Sequence, residues 1–419
     1  MGCLGSGDTA RGLDTWVIHG YRRIVSRRIP SILSLVALGI VLATSACEEG
    51  PTVPPLGAES DVPAAVAWND VLLEAVAAHP WTPPHAARTF AYLGVAQHEA
   101  LLELDNGPGE TSKVAARAAV SAASAAVLRE LYPMEEARIA RAVDRLGPRG
   151  GAFASRAQVD IGRAAGLRAA ARVIARAHAD GGDAEWTGGV PTGPGIWFSS
   201  TGEPPLAPMA GGMLPWTMAH VEDFDPPLPP AFGSAEFQAA LAEVRAFSDQ
   251  RTPEMTRIAR FYEYGPGTSS PAGQYVALAA QLIVRDGLGE RDAARTFAIL
   301  GTAMADAGIA CWRAKYQYWL LRPSQADPAI TFPIGLPNFP AYPSGHSSFS
   351  GAAEGVLSAL FPADAAELHR FAEENGLSRI YGGVHFSFDN TAGLELGRRI
   401  APLALSAGGR LAPVVLAAR

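Results

Sequence analysis

Three short motifs toward the C-terminal end carry residue types that could do chemistry together. The first, CWRAKYQYWLLRP, contains Lys315 and Arg322, and Lys315 is one of only two lysines in the chain. Seven residues are almost two helical turns, so we expect both cations on one helix face, about 10 Å apart along its axis. Pro323 is expected to end that helix. The alternative is a solvated basic edge, although the intervening Tyr, Trp and Leu residues indicate an apolar setting.

The second motif, PAYPSGHSSFSGAA, places Ser344, Gly345 and His346 directly before a run that predicts a helix over residues 347–360. The free amides and the positive end of such a helix favour an anion. Gly345 would let the backbone approach a ligand closely, and His346 can take or give a proton near neutral pH. The alternative is an ordinary serine N-cap beside a surface histidine.

The third motif, SRIYGGVHFSFDN, contains Arg379, His385 and Asp389. Gly382 and Gly383 are expected to break the helix between Arg379 and His385. Asp389 follows His385 at i+4 on the same helix face, where its carboxylate can hold one ring nitrogen and leave the other free. A capped helix with a His–Asp surface pair is the alternative.

Taken together, the motifs supply three cations, one hydroxyl, helix-start amides and two imidazoles. This set suits a tetrahedral oxyanion with two axial positions: cations and amides hold the equatorial oxygens, one histidine attacks or binds along the axis, and the other serves the opposite oxygen. Three cations without an acidic ligand set indicate an oxyanion rather than a bare divalent metal.

The elements that must position these groups are predicted to be helices. The chain has 419 residues, 48% of them hydrophobic and 18% charged, which fits a globular protein with a large core. Strand signals are nearly absent, so we predict an all-α helical bundle over residues 64–419, crossed by a Pro/Gly-rich meander at 181–233. Predicted helices span 64–79, 83–104, 112–132, 155–180, 234–248, 253–264, 271–286, 291–321, 347–360, 363–375 and 386–405.

The N-terminal region has the pattern of an export signal. The basic segment RRIVSRR precedes the uncharged stretch IPSILSLVALGIVLATSA, which ends at Cys47. Residues 1–46 therefore predict a signal peptide of the lipoprotein type, and residues 47–63 a flexible tether. We expect an exported protein, periplasmic or anchored to the outer membrane through a lipid on Cys47; a single membrane-spanning anchor is the alternative. The net charge of −7 implies no nucleic-acid partner.

The spacing of the three motifs resembles the three-part signature shared by vanadium-dependent haloperoxidases and type 2 phosphatidic-acid-phosphatase-like acid phosphatases. The matching positions are Lys315-x6-Arg322-Pro323, Pro343-Ser344-Gly345-His346 and Ser378-Arg379-x5-His385-x3-Asp389. The preceding helical layout also resembles bacterial haloperoxidases, so the similarity extends from about residue 64 to the end.

For a haloperoxidase, the resemblance implies vanadate as cofactor and hydrogen peroxide and a halide as substrates. Lys315, Arg322 and Arg379 would bind the equatorial oxygens, helped by Ser344 and the Gly345 amide. His385 would be the ligand bonded to vanadium, and His346 would contact the axial oxygen and assist proton transfer. Trp312 and Phe339 match aromatic positions that line the site in fungal chloroperoxidases; packing in the core is their alternative role.

Two other functions stay open. In an acid phosphatase acting on a phosphate ester, His385 would be the nucleophile, oriented by Asp389, and would form a phosphohistidine while His346 protonates the leaving alcohol. A lipid-anchored oxyanion-binding protein without turnover would keep Arg322 and Arg379 but would not need both histidines.

Overall fold

The computed structural model describes residues 62–79, 81–106, 112–147 and 153–411. Within these ranges the chain forms thirteen α-helices and no β-strand, which confirms the all-α prediction. In chain order they are α1 (Ala64–Ala78), α2 (Pro83–Asp105), α3 (Lys113–Leu131), α4 (Glu136–Leu146), α5 (Phe153–Ala179), α6 (Ala235–Asp249), α7 (Pro253–Phe261), α8 (Ser270–Arg285), α9 (Glu290–Tyr318), α10 (Pro323–Ala326), α11 (Gly345–Leu360), α12 (Ala365–Tyr381) and α13 (Ser387–Ala407).

Helix α9 is the axis of the bundle and carries the first motif at its C-terminal end. It packs along α2, and α11 and α13 lie against it. The α2–α9 contact is close because small residues face each other: a Cβ added to Gly301 would lie 2.8 Å from Cα of Ala91. Buried side chains such as Phe90 and Leu300 fill the space beside this seam, each contributing about 1.5–3 kcal/mol by leaving water.

The meander, residues 181–233, lies against the bundle and is held by two buried carboxylates. Asp180 is bound by Nε of Arg88 on α2 at 2.6 Å, and its carboxylate accepts from the Gly182 amide at the start of the meander at 2.9 Å. Asp306 on α9 accepts from the backbone amides of Trp216 and Thr217, both at 2.7 Å. The meander contains only two short 3-10 turns, so these side-chain contacts fix a segment that has little regular structure of its own.

The first motif departs from its prediction, because α9 ends at Tyr318 rather than at residue 321. Trp319 adopts a left-handed conformation (φ 50°, ψ 32°), and its amide donates the last hydrogen bond of the helix to the Lys315 carbonyl. The chain then runs extended beside the meander, where the Leu321 amide donates to the Gly195 carbonyl at 3.1 Å. Lys315 and Arg322 therefore do not share a helix face; Arg322 lies in extended backbone.

Two other helix predictions are corrected. Helix α4 was not predicted, although Ile139, Ala142 and Leu146 are buried at helical spacing. Helix α12 continues past the predicted end at Asn375 to Tyr381. Gly376 does not end the helix. Its lack of a side chain lets α12 pack closely against Asn390, because a Cβ there would lie 1.9 Å from the Asn390 side chain.

The predicted signal segment and Cys47 lie outside the described residues. In the part of the chain that is described, no helix combines the length and the hydropathy needed to cross a membrane.

Candidate active site

The three motifs converge where the C-terminal end of α9 meets the N-terminal ends of α11 and α13. Six of the predicted site residues are almost wholly removed from solvent: Lys315, Arg322, Ser344, Arg379, His385 and Asp389. His346 is partly exposed. Three buried cations in one place require a compensating arrangement, because an isolated charge in the interior is strongly destabilising.

The ammonium group of Lys315 is held by backbone carbonyls. Nζ donates to the carbonyls of Pro340, Ala341 and Pro343 at 2.8, 2.6 and 2.6 Å. An ammonium group has three N–H bonds, so all of them are used within the protein. Nζ also lies 5.2 Å from the centre of the Phe339 ring. Burial lowers the pKa of Lys315, while the three carbonyls favour its charged form.

The guanidinium of Arg322 is held in the same way. Nε and Nη2 donate to the Phe339 carbonyl at 3.0 and 2.9 Å, and Nη2 also reaches the Pro340 carbonyl at 3.3 Å. Nη1 donates to the Val384 carbonyl at 2.7 Å and lies 3.0 Å from Nε2 of His385. Burial lowers the pKa of Arg322 to about 9, so the group remains cationic at neutral pH.

His385 is fixed as a neutral imidazole of one tautomer. Arginine can only donate, so Nε2 accepts from Arg322 and the ring proton is on Nδ1, which donates to Oδ2 of Asp389 at 2.8 Å. The same Oδ2 accepts from the Phe386 amide at 3.0 Å. Burial, followed by the charges of Arg322 and Lys315, holds the pKa of His385 well below its usual range. The predicted i, i+4 pairing thus both caps α13 and directs Nε2 toward the cations.

The start of α11 is organised around Ser344. Its Oγ caps the helix by accepting from the Ser347 amide at 3.3 Å, and its own amide donates to the Asp389 carbonyl at 3.0 Å. The amides of Gly345 and His346 follow in the first helical turn, where no intrahelical acceptor exists. A Cβ at Gly345 would lie 3.0 Å from the Trp312 ring, so a larger residue there would require the ring to shift.

His346 is oriented by a loop that the sequence did not connect to it. Its Nε2 lies 3.0 Å from the Glu263 carbonyl, an acceptor, so Nε2 carries the proton and Nδ1 has the lone pair. Burial, followed by the charge of Arg379, holds the pKa of His346 well below its usual range. His346 is thus a neutral group with one nitrogen available for proton transfer.

Arg379 differs from the other two cations. Its Nε and Nη1 are buried and have no hydrogen-bond partner among the described residues, and the indole nitrogen of Trp312 is also unpartnered. Buried donors of this kind are uncommon and fit a ligand that brings acceptor oxygens. Among the described residues, no group of three or more His, Cys, Asp or Glu side chains could hold a bare metal ion. The donor set therefore fits an oxyanion such as vanadate.

A cavity of about 20 Å³ opens onto the two histidines and Gly345, which is room for about one water molecule. Its lining residues are His346, His385, Gly345, Trp312, Phe339, Phe349, Pro83, Pro271 and Pro337. The predicted aromatic residues thus line the cavity. Phe349, at i+3 from His346, could have been found from helical spacing, and Pro337 lies only two residues before Phe339. Pro83 and Pro271 come from distant segments and had no signal in the sequence.

Comparison with known proteins identifies the class of this fold. The fold is that of the vanadium haloperoxidases: it is similar to a bacterial vanadium-dependent iodoperoxidase, with a TM-score of 0.72 and 24% identity over 82% of this chain and 95% of that one. It is also similar to the apo form of a bacterial vanadium-dependent chloroperoxidase, with a TM-score of 0.63 and 15% identity over 79% and 96%.

Sequence comparison supports the same class over shorter stretches. Residues 363–411 match the family model of the VCPO second helical-bundle domain. The chain is 36% identical over 81 residues to vanadium chloroperoxidase from Curvularia inaequalis, a match that covers 15% of this chain and only 13% of that enzyme. These findings confirm the resemblance to vanadium-dependent haloperoxidases that the motifs indicate.

Proposed function

We propose that this protein is a vanadate-dependent haloperoxidase that uses hydrogen peroxide to oxidise a halide to hypohalous acid. The observation that carries the proposal is the combination of a buried Arg379 with unpartnered donors and a neutral His385 whose Nε2 has no proton. An oxyanion needs the free donors of Arg379, and a bond from imidazole to vanadium needs the lone pair on Nε2 of His385. Vanadium bound here would supply Lewis acidity that activates hydrogen peroxide.

The three cations would contribute differently to holding vanadate. Arg379 provides unpartnered N–H groups. The Gly345 and His346 amides lie in the first turn of α11, where the helix itself offers them no acceptor, beside the Ser344 hydroxyl. Lys315 and Arg322 already donate to protein acceptors and would act mainly through their charge. In this structure the lone pair on Nε2 of His385 accepts a hydrogen bond from Nη1 of Arg322. For Nε2 to bond to vanadium, that hydrogen bond must break, so Arg322 is the cation that would have to move.

His346 would move the proton. Its Nε2–H is directed to the Glu263 carbonyl, so Nδ1 is the nitrogen that would accept a proton from peroxide and return it to a departing oxygen. The lowered pKa of His346 keeps this nitrogen unprotonated at neutral pH. Asp389 would stabilise the tautomer of His385 without entering the reaction itself.

The walls of the cavity are largely aromatic and proline side chains. This apolar lining suits a polarisable halide better than a strongly hydrated group.

An acid phosphatase is the second candidate, because the 2.8 Å contact between His385 and Asp389 would equally orient a nucleophilic imidazole. The deciding experiment compares bromide and iodide oxidation with p-nitrophenyl phosphate hydrolysis, in protein stripped of and then loaded with vanadate. We expect vanadate to restore halide oxidation and phosphate to compete with it. Activation by Mg²⁺, Mn²⁺ or Zn²⁺ in place of vanadate, or hydrolysis with a trapped phosphohistidine, would contradict the proposal.

We further propose that the protein is exported and anchored through a lipid on Cys47. The support is the sequence pattern alone, a basic segment and an uncharged stretch that ends at this cysteine. We expect the mature protein to partition into detergent, and Cys47→Ser to release it or block its processing. Recovery of unprocessed protein from the cytoplasm would contradict this proposal.

A further inference from the structure

Glu263, in the loop after α7, contacts the candidate site through both its backbone and its side chain. Its carbonyl accepts from Nε2 of His346 at 3.0 Å. Its carboxylate accepts from the Gly335 amide at 2.7 Å. Gly335 lies two residues before Pro337, which lines the cavity. One residue therefore connects the proposed proton-transfer histidine with the rim of the cavity.

The backbone at this loop needs external support. Tyr264, directly after Glu263, has a positive φ of 41°, which is uncommon for a bulky residue. Such a conformation persists only when surrounding contacts hold it. The bond from the Gly335 amide to the Glu263 carboxylate is one such contact, and it fixes the residue whose carbonyl orients His346.

We propose that Glu263 is a positioning residue. Its hydrogen bond to the Gly335 amide holds the loop whose carbonyl orients His346. This effect does not depend on the proposed function.

Two substitutions test this hydrogen bond. Glu263→Gln keeps an acceptor for the Gly335 amide, whereas Glu263→Ala removes it. Glu254→Gln is the matched control, since it changes a carboxylate on α7, where Glu254 pairs with Arg257. Hydrogen–deuterium exchange of the peptide containing Gly335 reports the hydrogen bond, and the ¹⁵N shifts of the His346 ring report its orientation.

In Glu263→Ala we expect exchange at Gly335 to rise about tenfold or more, because its hydrogen bond is lost, and the His346 ring shifts to change. Glu263→Gln should leave both near the wild-type values. The control should match wild type in both measurements. Unchanged exchange or unchanged ring shifts in Glu263→Ala would overturn the proposal, whether or not any oxyanion binds.

Discussion

Nη1 of Arg322 donates to Nε2 of His385 at 3.0 Å, and this contact determines which nitrogen of the imidazole carries the proton. Because a guanidinium has no lone pair to offer, Nε2 must be the acceptor. Asp389 reinforces the same tautomer from the opposite side of the ring. A cation and a carboxylate on either side of one histidine thus leave it neutral, with its lone pair directed into the site.

Asp389→Asn tests the role of the carboxylate in that arrangement. We expect vanadate affinity to fall about 10- to 100-fold, as is typical when the partner that orients a metal-binding histidine is changed. Equilibrium titration with vanadate measures the effect. Glu395→Gln is the control, because Glu395 is exposed on the same helix. Equal losses in both variants would mean that the charge of α13, and not the contact with His385, is responsible.

The two histidines should separate binding from proton transfer. His385→Ala is expected to weaken vanadate binding as well as turnover, because Nε2 is the proposed bond to vanadium. His346→Ala should retain much of the affinity but lose roughly 10²–10⁴-fold in halide oxidation, the contribution of a positioned acid–base group. Vanadate titration and iodide oxidation are measured on each variant. Wild-type vanadate affinity in His385→Ala would contradict the assigned roles.

Arg379→Met should stabilise the protein while removing its oxyanion site. The guanidinium is buried with two unpartnered nitrogens, and a buried charge without a partner is destabilising, so an apolar side chain of similar length should raise the stability. We expect a higher free energy of unfolding in urea and no measurable phosphate binding. Arg370→Met, at an exposed position of the same helix, is the control and should change neither quantity by much. A destabilised Arg379→Met protein would show that the cation is structurally satisfied.

The lowered pKa of His346 predicts a loss of stability in mild acid. In the unfolded chain this histidine takes up a proton near its usual pKa, whereas in the folded protein it stays neutral to lower pH. The unfolded state therefore binds more protons below about pH 6.5, and the free energy of unfolding falls as the pH falls.

His346→Gln should make that fall shallower, by at most about 1.4 kcal/mol per pH unit. Urea denaturation at several pH values between about 5 and 7 measures the slope. His220→Gln, at an exposed position in the meander, should keep the wild-type slope. An unchanged slope in His346→Gln would assign the pH dependence to another group.

The sequence predicted the parts of the site that depend on local spacing. The His385–Asp389 contact was predicted from i, i+4 spacing and is present, although His385 lies just before α13 rather than on it. The Ser344 cap follows from the residue types at a helix start. Both depend on neighbours within four residues, so periodicity and capping preferences are sufficient to find them.

What the sequence did not predict depends on contacts between distant segments. The predicted end of α9 was wrong because the chain after Trp319 pairs with the meander, more than 100 residues earlier: the Leu321 amide donates to the Gly195 carbonyl. The role of Glu263 was missed because its partners, Gly335 and His346, are remote in sequence. Single-sequence patterns carry no information on such pairings.

The docking of the meander also affects the order in which parts of the protein fold. The carbonyls that accept hydrogen bonds from Lys315 and Arg322 come after the turn that ends α9. That turn is held by hydrogen bonds with residues 195–197 of the meander. Contacts of such long sequence separation form late when a chain folds, because loop closure must precede them. We therefore expect the helices of the bundle to appear first during refolding and the ability to capture phosphate to appear last, with a lag between the two signals.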